Sequence, residues 1–191
     1  NFNIPNSTSS FINNVLACIS VLSVLNVDLN NIKNKFVKFK IPNGRGDVKI
    51  INKFKRKFKF IDDSYNANPL SMRSAINNMK HHKRIGGSKK IAFLGDMLEL
   101  GKKSKKFHKK LSNDINKSDI DKVFVYGRHI KETFNFLSTN KKGKIFKNLM
   151  EAHDHFGKIL HNNDILMVKG SNATGLNQFS KNIKRNKFNV I

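Results

Sequence analysis

Two adjacent carboxylates begin the polar segment that follows a short apolar run of this chain. Asp62 and Asp63 end the run 58–61 and lead through small polar residues to Pro69. Neighbouring aspartates at the end of a strand repel each other, so they need cations or hydrogen-bond donors beside them. A ribose diol is one such donor. Turn formation and helix capping by Asp and Asn would explain one or two of these residues, but hardly the whole run.

A second pair of candidate residues follows another apolar run. Lys169 and Ser171 come directly after residues 165–168 and place a cation and a hydroxyl at the end of a predicted strand. The alternative is that Lys169 only pairs with a neighbouring acid. The cluster of His and acidic residues at 151–155 lies in a predicted helix, where adjacent positions point in different directions. We therefore interpret it as surface and not as a metal site.

The elements that must position these residues alternate between strand and helix. Strands separated by helices of this length predict an α/β protein with a mostly parallel sheet covered on both sides. In such sheets ligands meet the loops after the carboxyl ends of the strands. Pro42, Asn43 and Gly44 break the pattern and predict a domain boundary at about residue 40. The predicted strands are 48–51, 58–61, 91–94, 123–126, 145–146 and 165–168, and the predicted helices are 9–25, 28–36, 69–82, 104–116, 130–137, 149–160 and one from about 176.

The charge of the chain first suggests a nucleic acid or another anionic partner. Lys and Arg number 37 against 13 Asp and Glu, which gives a net charge of +24. Only six of the basic residues are Arg, however, and the abundant residues Lys, Asn, Ile and Phe all have A/T-rich codons. Codon drift would spread Lys over every solvated face without building a patch that reads bases or phosphates. We therefore predict no nucleic-acid partner and keep a basic nucleic-acid-binding module as an alternative.

Cysteine usage and hydropathy favour a soluble protein of a reducing compartment. A single cysteine, Cys18, excludes an internal disulfide and a cysteine-based zinc site within the sequence. The apolar run 11–25 contains Asn13 and Asn14 and is shorter than the roughly 20 apolar residues of a membrane span. We expect a cytoplasmic monomer without a membrane span. Because the first residue is Asn and not Met, we also expect the chain to have been cut from a longer one.

Several motifs of the chain resemble one family. Residues 62–69 read Asp-Asp-Ser-Tyr-Asn-Ala-Asn-Pro and are followed by Ser71 and Met72. This run is similar to the signature of the Mur ligases that add D-alanyl-D-alanine. Residues 94–101, Leu-Gly-Asp-Met-Leu-Glu-Leu-Gly, and residues 168–171, Val-Lys-Gly-Ser, resemble two further motifs of the family, as do 14–17 and 42–45 upstream. The matches come in family order and cover nearly the whole chain.

The sequence also departs from the family pattern at several places. Leu70 stands where the family has an acidic residue, Ser10 where it has His, and Asn172 where it has Arg. The ATP loop of the family, Gly-x-x-Gly-Lys-Ser/Thr, does not occur in the 191 residues. The family's magnesium ligands and its carbamylated lysine also belong to the part upstream of this sequence. We therefore expect the fragment to be inactive alone.

The resemblance implies both an architecture and a reaction. Residues 40–191 would form the Rossmann-like C-terminal domain of a Mur ligase, and residues 1–39 the helical end of its central ATP-binding domain. The implied enzyme is a ligase of peptidoglycan precursor synthesis that joins D-alanyl-D-alanine to UDP-N-acetylmuramoyl-tripeptide through an acyl phosphate. Its cofactors would be ATP and Mg²⁺, and this chain would supply the closing lid and part of the acceptor site.

The resemblance also implies roles for individual residues. Asn14 would contact adenine, Arg45 would reach the ATP phosphates, and Asp63 would hold the ribose hydroxyls. Simpler alternatives are that Asn14 bridges a pair of helices and that Arg45 is a solvated turn residue. His108 fits a buttress of the loop at Asp96 better than a proton-transfer group. The residues implied to bind substrate are Tyr65, Asn66, Asn68, Lys169 and Ser171.

Three other functions remain open at this point. A sister ligase, adding an amino acid to the muramoyl peptide or glutamate to folate, is the nearest, although the Tyr-Asn-Ala-Asn-Pro run argues against it. An inactive remnant that binds nucleotide weakly or serves as a scaffold is the second. The nucleic-acid-binding module is the third, and steeply salt-dependent binding to DNA or RNA would support it.

Overall fold

The chain forms two compact units, Asn1–Ile41 and Pro42–Ile191. A computed structural model describes residues 9–32, 34–38 and 42–185. The boundary predicted at about residue 40 falls in the segment 39–41, which lies outside the described residues. The assignment of residues 1–39 to the end of an ATP-binding domain stays a prediction.

The N-terminal unit contains one long helix, α1, at Ser9–Val24. The prediction of a single second helix over 28–36 is wrong, because the chain forms two 3₁₀ turns instead, Leu29–Asn31 and Phe36–Lys38. Asp28 does cap the first turn, accepting a hydrogen bond from the backbone N–H of Asn30 at 2.9 Å. The asparagines in this stretch disfavour a continuous helix, since their side chains compete for backbone hydrogen bonds. Among the described residues, no helix combines the length and the apolar character needed to cross a membrane.

The C-terminal unit is built on a six-stranded sheet in the order β1-β2-β6-β3-β4-β5. Strand β1 pairs antiparallel with β2, and the remaining neighbours pair parallel. The predicted α/β class and mostly parallel sheet are therefore confirmed. The strands are β1 Asp47–Lys53, β2 Arg56–Asp63, β3 Lys90–Gly95, β4 Lys122–Tyr126, β5 Lys142–Ile145 and β6 Ile165–Lys169.

Helices cover both faces of this sheet. Strand β3 shows why, because successive side chains point to opposite faces and every residue in it is buried. Ala92 and Leu94 pack in the core on one face, whereas Ile91 and Phe93 pack in the core on the other. The first core is closed by α2, α3 and α4, and the second by α5 and α6. The helices are α2 Pro69–Asn78, α3 Ser104–Asn116, α4 Lys131–Asn135, α5 Leu149–Ile159 and α6 Leu176–Lys184.

The parallel strands bring four polar loops to one edge of the sheet. Strands β2, β3, β4 and β6 run in the same direction, so the loops that follow them leave from a common edge. These loops are residues 64–68, 96–100, 127–130 and 170–175. We call these loops, together with the strand ends that they follow and the segment 44–46 hydrogen-bonded to them, the carboxyl edge, and it contains most of the candidate residues.

Candidate functional site

Asp63 and Lys169 meet at the carboxyl edge. They are register partners at the ends of β2 and β6, and the Lys169 Nζ lies 2.8 Å from Asp63 Oδ2. The ammonium also donates to the backbone carbonyl of Asn66 at 3.1 Å, and Lys169 is only 1% exposed. Burial raises the pKa of the Asp63 carboxyl above its usual value, against the opposing charge of Lys169. Asp63 and Lys169 follow two different apolar runs of the sequence, and the fold joins them.

Asp62 takes part in a different ion cluster. Its Oδ1 accepts from the Ser64 hydroxyl at 2.6 Å, and its Oδ2 from the Lys184 ammonium at 2.5 Å. Lys184, from α6, also lies 3.4 Å from the Asp47 carboxylate at the start of β1. The two adjacent aspartates are thus stabilised by two different lysines. Sequence reasoning missed Lys184 and Asp47, because no local spacing relates residues this far apart in the chain.

The cluster around Asp62 holds the segment that carries Arg45. Asp47 Oδ1 accepts from the backbone N–H of Gly44 at 2.8 Å, and the Gly44 carbonyl accepts from the Tyr65 N–H at 2.9 Å. Gly44 has φ 78°, and a Cβ there would lie 3.1 Å from the Tyr65 Cβ, so glycine is the residue that fits. The Arg45 guanidinium carbon lies 4.4 Å from the centre of the Tyr65 ring. Both side chains are exposed, and a cation–π contact of this kind orders them.

The two asparagines of the loop 64–68 have local partners. Asn66 is exposed, and its Oδ1 accepts from the backbone N–H of Ala67 at 2.8 Å. Asn68 caps α2: its Oδ1 accepts from the Ser71 N–H at 2.8 Å, while the Ser71 hydroxyl accepts from the Asn68 N–H at 3.0 Å. This reciprocal capping box satisfies two backbone donors at the start of the helix. Asn68 therefore has a clear structural role in addition to its predicted one.

Ser171 links three loops of the carboxyl edge. Its hydroxyl accepts from the backbone N–H of Leu98 at 3.0 Å and donates to the Ala67 carbonyl at 3.3 Å. Its own N–H donates to the Asp96 carbonyl at 3.0 Å, and the residue is 6% exposed. The hydroxyl proton and one lone pair are thus used within the protein. Direct contact of Ser171 with a substrate stays a prediction.

The Asp96 side chain holds the loop that follows β4. Its carboxylate accepts three backbone N–H bonds, from Arg128 at 3.0 Å, His129 at 2.9 Å and Ile130 at 2.7 Å. Gly127 has φ 139°, and a Cβ there would lie 2.5 Å from Asp96 Oδ1. The carboxylate therefore approaches this loop only because residue 127 has no side chain.

His108, from α3, supports the loop that carries Asp96, as predicted. Its Nε2 accepts from the backbone N–H of Met97 at 3.0 Å, so the ring proton must be on Nδ1, which lies 2.8 Å from the Ser104 carbonyl. The side chain is fully buried. Burial lowers the pKa of His108 below its usual value. A neutral imidazole that uses both nitrogens to hold backbone groups confirms the buttressing role.

The other residues singled out in the sequence belong to other elements of the chain. Asn14 is exposed on α1, in the N-terminal unit. His153 contacts the Phe54 ring edge-on, with 4.9 Å between ring centres. His155 lies 5.3 Å from Phe124 and 5.4 Å from Phe146, measured between ring centres. In the part of the chain that the structure describes, no three His, Cys, Asp or Glu residues are grouped to hold a metal ion.

The carboxyl edge has the chemistry of a binding surface. Asp63 provides a partly buried acceptor for hydroxyl groups, and Arg45 provides a guanidinium whose fork matches phosphate oxygens. Tyr65 and Asn66 add an exposed ring and an exposed amide. Carboxylates accept hydrogen bonds from a diol, so the set suits a nucleotide and a peptide-like ligand better than a nucleophilic reaction of the protein itself.

Comparison with known proteins identifies similar sequences and folds. Residues 48–172 match the family described as Mur ligase, glutamate ligase domain. The chain is 29% identical over 175 residues to the UDP-N-acetylmuramoyl-tripeptide--D-alanyl-D-alanine ligase of Rickettsia prowazekii, covering 92% of this chain and 37% of that protein. It is 35% identical over 167 residues to the ligase of the same name from Buchnera aphidicola subsp. Baizongia pistaciae, covering 86% and 34%.

A solved structure has the same fold. The crystal structure of MurF from Acinetobacter baumannii superposes with a TM-score of 0.78 at 22% identity, covering 96% of this chain and 39% of that one. The chain thus spans little more than a third of the length of the proteins that it matches.

Proposed function

This chain belongs to the Mur ligase family, and from that premise we propose that it forms the closing domain of a cytoplasmic, ATP-dependent ligase of peptidoglycan precursor synthesis. The ligase would join D-alanyl-D-alanine to UDP-N-acetylmuramoyl-tripeptide. Relatives that carry the name of this reaction support the proposal, at 29% and 35% identity. The chain would supply the lid over ATP and part of the acceptor site.

The observation that carries the proposal is that burial raises the pKa of the Asp63 carboxyl, while the guanidinium of Arg45 is close enough for its charge to oppose that rise. Asp63 is held by Lys169 at 2.8 Å, and Arg45 lies against the Tyr65 ring at 4.4 Å. A carboxylate accepts from the two hydroxyls of a ribose, and a guanidinium binds the phosphates of the same nucleotide. We propose these two roles for Asp63 and Arg45, with Asn14 of the N-terminal unit at the adenine.

The substrate-side residues divide into two groups in this proposal. Tyr65 and Asn66 are exposed and would contact the tripeptide or the dipeptide directly. Lys169 and Ser171 are buried and would act by positioning, Lys169 through Asp63 and Ser171 through the carbonyl of Ala67. Asn68 would fix the start of α2 beneath the substrate. Rigid support of this kind is what precise substrate placement requires.

The proposed reaction proceeds in two steps. A terminal carboxylate oxygen of the tripeptide attacks the γ-phosphorus of ATP. The bond between the γ-phosphorus and the oxygen that bridges it to the β-phosphate breaks, ADP departs, and the tripeptide becomes an acyl phosphate. The dipeptide amine then attacks the acyl carbon, and the tetrahedral intermediate loses phosphate and a proton to give the amide. Charge neutralisation and positioning provide most of the catalysis in such phosphoryl transfers.

Mg²⁺ would neutralise the phosphate charge in this reaction. Carboxylate oxygens are its usual protein ligands, but the described residues contain no grouped set of acids and histidines for a metal ion. We therefore assign its ligands to none of the described residues. The contribution of these residues is to bind the nucleotide, orient the acceptor and exclude water as the domain closes.

A hybrid enzyme tests the proposal. The part of the Rickettsia prowazekii ligase that precedes its match to this chain would be joined to this chain. Phosphate release would be measured with and without each of the two peptide substrates. We expect release that depends on both substrates. The Asp63→Asn variant of the hybrid should raise KM for ATP, because an amide replaces one hydroxyl acceptor with a donor, whereas Asn77→Ala on the outer face of α2 should not.

Two results would contradict the proposal in different ways. A folded hybrid that binds ATP but releases no phosphate, while the parent ligase does, would favour an inactive remnant or a scaffold. Release that depends on a different amino acid would favour a sister ligase.

A further inference from the structure

A basic hollow lies at the amino-terminal end of β2, at the opposite end of that strand from the carboxyl edge. It has a volume of about 480 Å³ and is lined by residues 52–57, Asn162 and Arg185. We call it the basic hollow. Eight of the described residues line it, and of these eight, five are cations and none is an acid. The cations are Lys53, Lys55, Arg56, Lys57 and Arg185.

A second hollow of similar size shows that this composition does not follow from the net charge alone. It has a volume of about 490 Å³, and its lining includes Arg84 and Lys141 together with Asp119 and Asp121. Arg84 forms an ion pair with Asp121 there. Acids of that hollow therefore compensate its cations, whereas the basic hollow has no acid among its described lining residues.

Hydrogen bonds from three segments hold the basic hollow in shape. The backbone N–H of Lys57 donates to Asn162 Oδ1 at 2.8 Å, and its carbonyl accepts from the Asn163 N–H at 2.7 Å. The Lys53 ammonium donates to the carbonyls of Asn182 and, at 3.2 Å, Arg185 at the end of α6. These hydrogen bonds thus connect three segments around the cations: the hairpin formed by β1 and β2, the loop 161–163 and the last turn of α6.

The turn of the hairpin is fixed in an uncommon conformation. Phe54 and Lys55 both have positive φ, 56° and 57°, which a two-residue hairpin turn favours but which is strained for side chains of this kind. Packing of the Phe54 ring against α5 offsets the strain: it lies 4.9 Å from the His153 ring, and a Cβ on Gly157 would come within 3.1 Å of it. Lys55 is thereby held exposed at the rim of the hollow.

We propose that the basic hollow binds a compact polyphosphate, either an inorganic oligophosphate or the phosphate chain of a nucleotide. The guanidinium groups of Arg56 and Arg185 can each bind two phosphate oxygens, and Lys55 and Lys57 add mobile point charges. Like charges gathered in one hollow repel each other, and a polyanion removes that repulsion. A concave lining from three segments suits a compact anion more than a long polymer. This proposal is independent of the proposed ligase function.

Inorganic tripolyphosphate is the first probe for the 191-residue chain. Binding would be measured by calorimetry, and the shifted backbone resonances would be mapped by NMR at about 150 mM salt, where dispersed surface charge is screened. The test variant is Lys55→Gln with Lys57→Gln. The control is Lys80→Gln with Lys117→Gln, which removes two exposed lysines outside the hollow. ATP and adenosine would distinguish the two sources of the phosphate chain.

We expect one saturable site for tripolyphosphate, and about tenfold weaker binding in the test variant only. The resonance shifts should be confined to the β1–β2 hairpin, residues 161–163 and the end of α6. Equal binding of ATP and tripolyphosphate would identify the phosphate chain as the recognised group, and tighter binding of ATP would point to a nucleotide. Equal loss in both variants would overturn the proposal in favour of diffuse charge. Binding that occurs only with an oligothymidylate, and that strengthens with the length of that polymer, would also overturn the proposal. Binding of tripolyphosphate that does not saturate would overturn it as well.

Discussion

Replacing Lys169 with Met would test whether its ammonium is a structural partner of Asp63. Methionine keeps most of the volume of the lysine stem but removes the charge. The Asp63 carboxylate would then lose the cation at 2.8 Å and remain partly buried without it. Breaking a fully buried ion pair costs about 3–5 kcal/mol. Because 23% of the Asp63 side chain is exposed, water screens part of the lost charge, and we expect a loss of about 2–3 kcal/mol.

Urea unfolding followed by tyrosine fluorescence measures this loss. The chain has two tyrosines and no tryptophan, and Tyr65 and Tyr126 both belong to the C-terminal unit. The signal therefore reports the unfolding of the unit that contains the pair. The double variant Asp63→Asn with Lys169→Met provides the control, because replacing both partners of an ion pair is often nearly neutral.

The pH dependence of the same variant has a definite sign. Burial already raises the pKa of the folded Asp63 carboxyl, and loss of Lys169 raises it further. The native state then binds more protons than the unfolded state, so stability falls as pH rises from the unfolded pKa through the folded pKa. Lys169→Met should therefore lose more stability near pH 7 than near pH 5. A loss below about 1 kcal/mol, or a double variant no more stable than the single one, would refute the structural role of the ammonium.

Three further predictions concern the supports of the carboxyl edge. His108→Phe should destabilise the C-terminal unit by about 1–3 kcal/mol, because the Met97 N–H loses its acceptor, and faster hydrogen exchange at Met97 should report it. Since burial lowers the pKa of His108, the natural chain loses stability as pH falls below the unfolded pKa of about 6.5, and the Phe variant should lose that part of the pH dependence. Gly127→Ala should lower the free energy of unfolding in urea by at least about 1–2 kcal/mol, because a Cβ would lie 2.5 Å from Asp96 Oδ1 at a φ of 139°. Gly87→Ala, which has open space around it, should lower it much less. Asn68→Ala should lose about 1 kcal/mol of stability with the capping box of α2, and an equal loss in Asn77→Ala within the same helix would argue against the cap.

Much of the fold follows from local sequence pattern. The buried run of β3 and the alternating Phe58 and Phe60 of β2 are short apolar signals, and both strands occur where the pattern predicts them. The helix predicted over 104–116 has those bounds in the structure. The pattern is wrong over the segment 28–36, where side-chain hydrogen bonding by Asn competes with an otherwise helical pattern. A local sequence pattern thus predicts an element well when no side-chain hydrogen bonding competes with the backbone of that element.

The partners within the site could not be predicted in the same way. The pairs of Asp63 with Lys169 and of Asp62 with Lys184 join residues more than 100 positions apart, and only the strand order β2-β6 and the position of α6 bring them together. The sequence indicates that two adjacent aspartates need positive partners, but many lysines could serve in a chain of this charge. Side-chain chemistry thus indicates that each aspartate needs a cationic partner, whereas the topology of the fold determines which lysine it is.

The polar residues of the carboxyl edge thus form a buried set and an exposed set, and a ligand can contact the exposed set directly. Lys169, Ser171 and Asp96 each use their polar groups within the protein and are at most 6% exposed. Arg45, Tyr65 and Asn66 are exposed at the same edge. A substitution in the buried set should therefore change binding only through altered positioning and should also lower stability. In the hybrid ligase, Arg45→Gln should raise KM for ATP while the urea unfolding of the chain stays within about 0.5 kcal/mol of the natural sequence. If Arg45→Gln left KM unchanged, the guanidinium would be a solvated turn residue, and the nucleotide would have to be held by other groups.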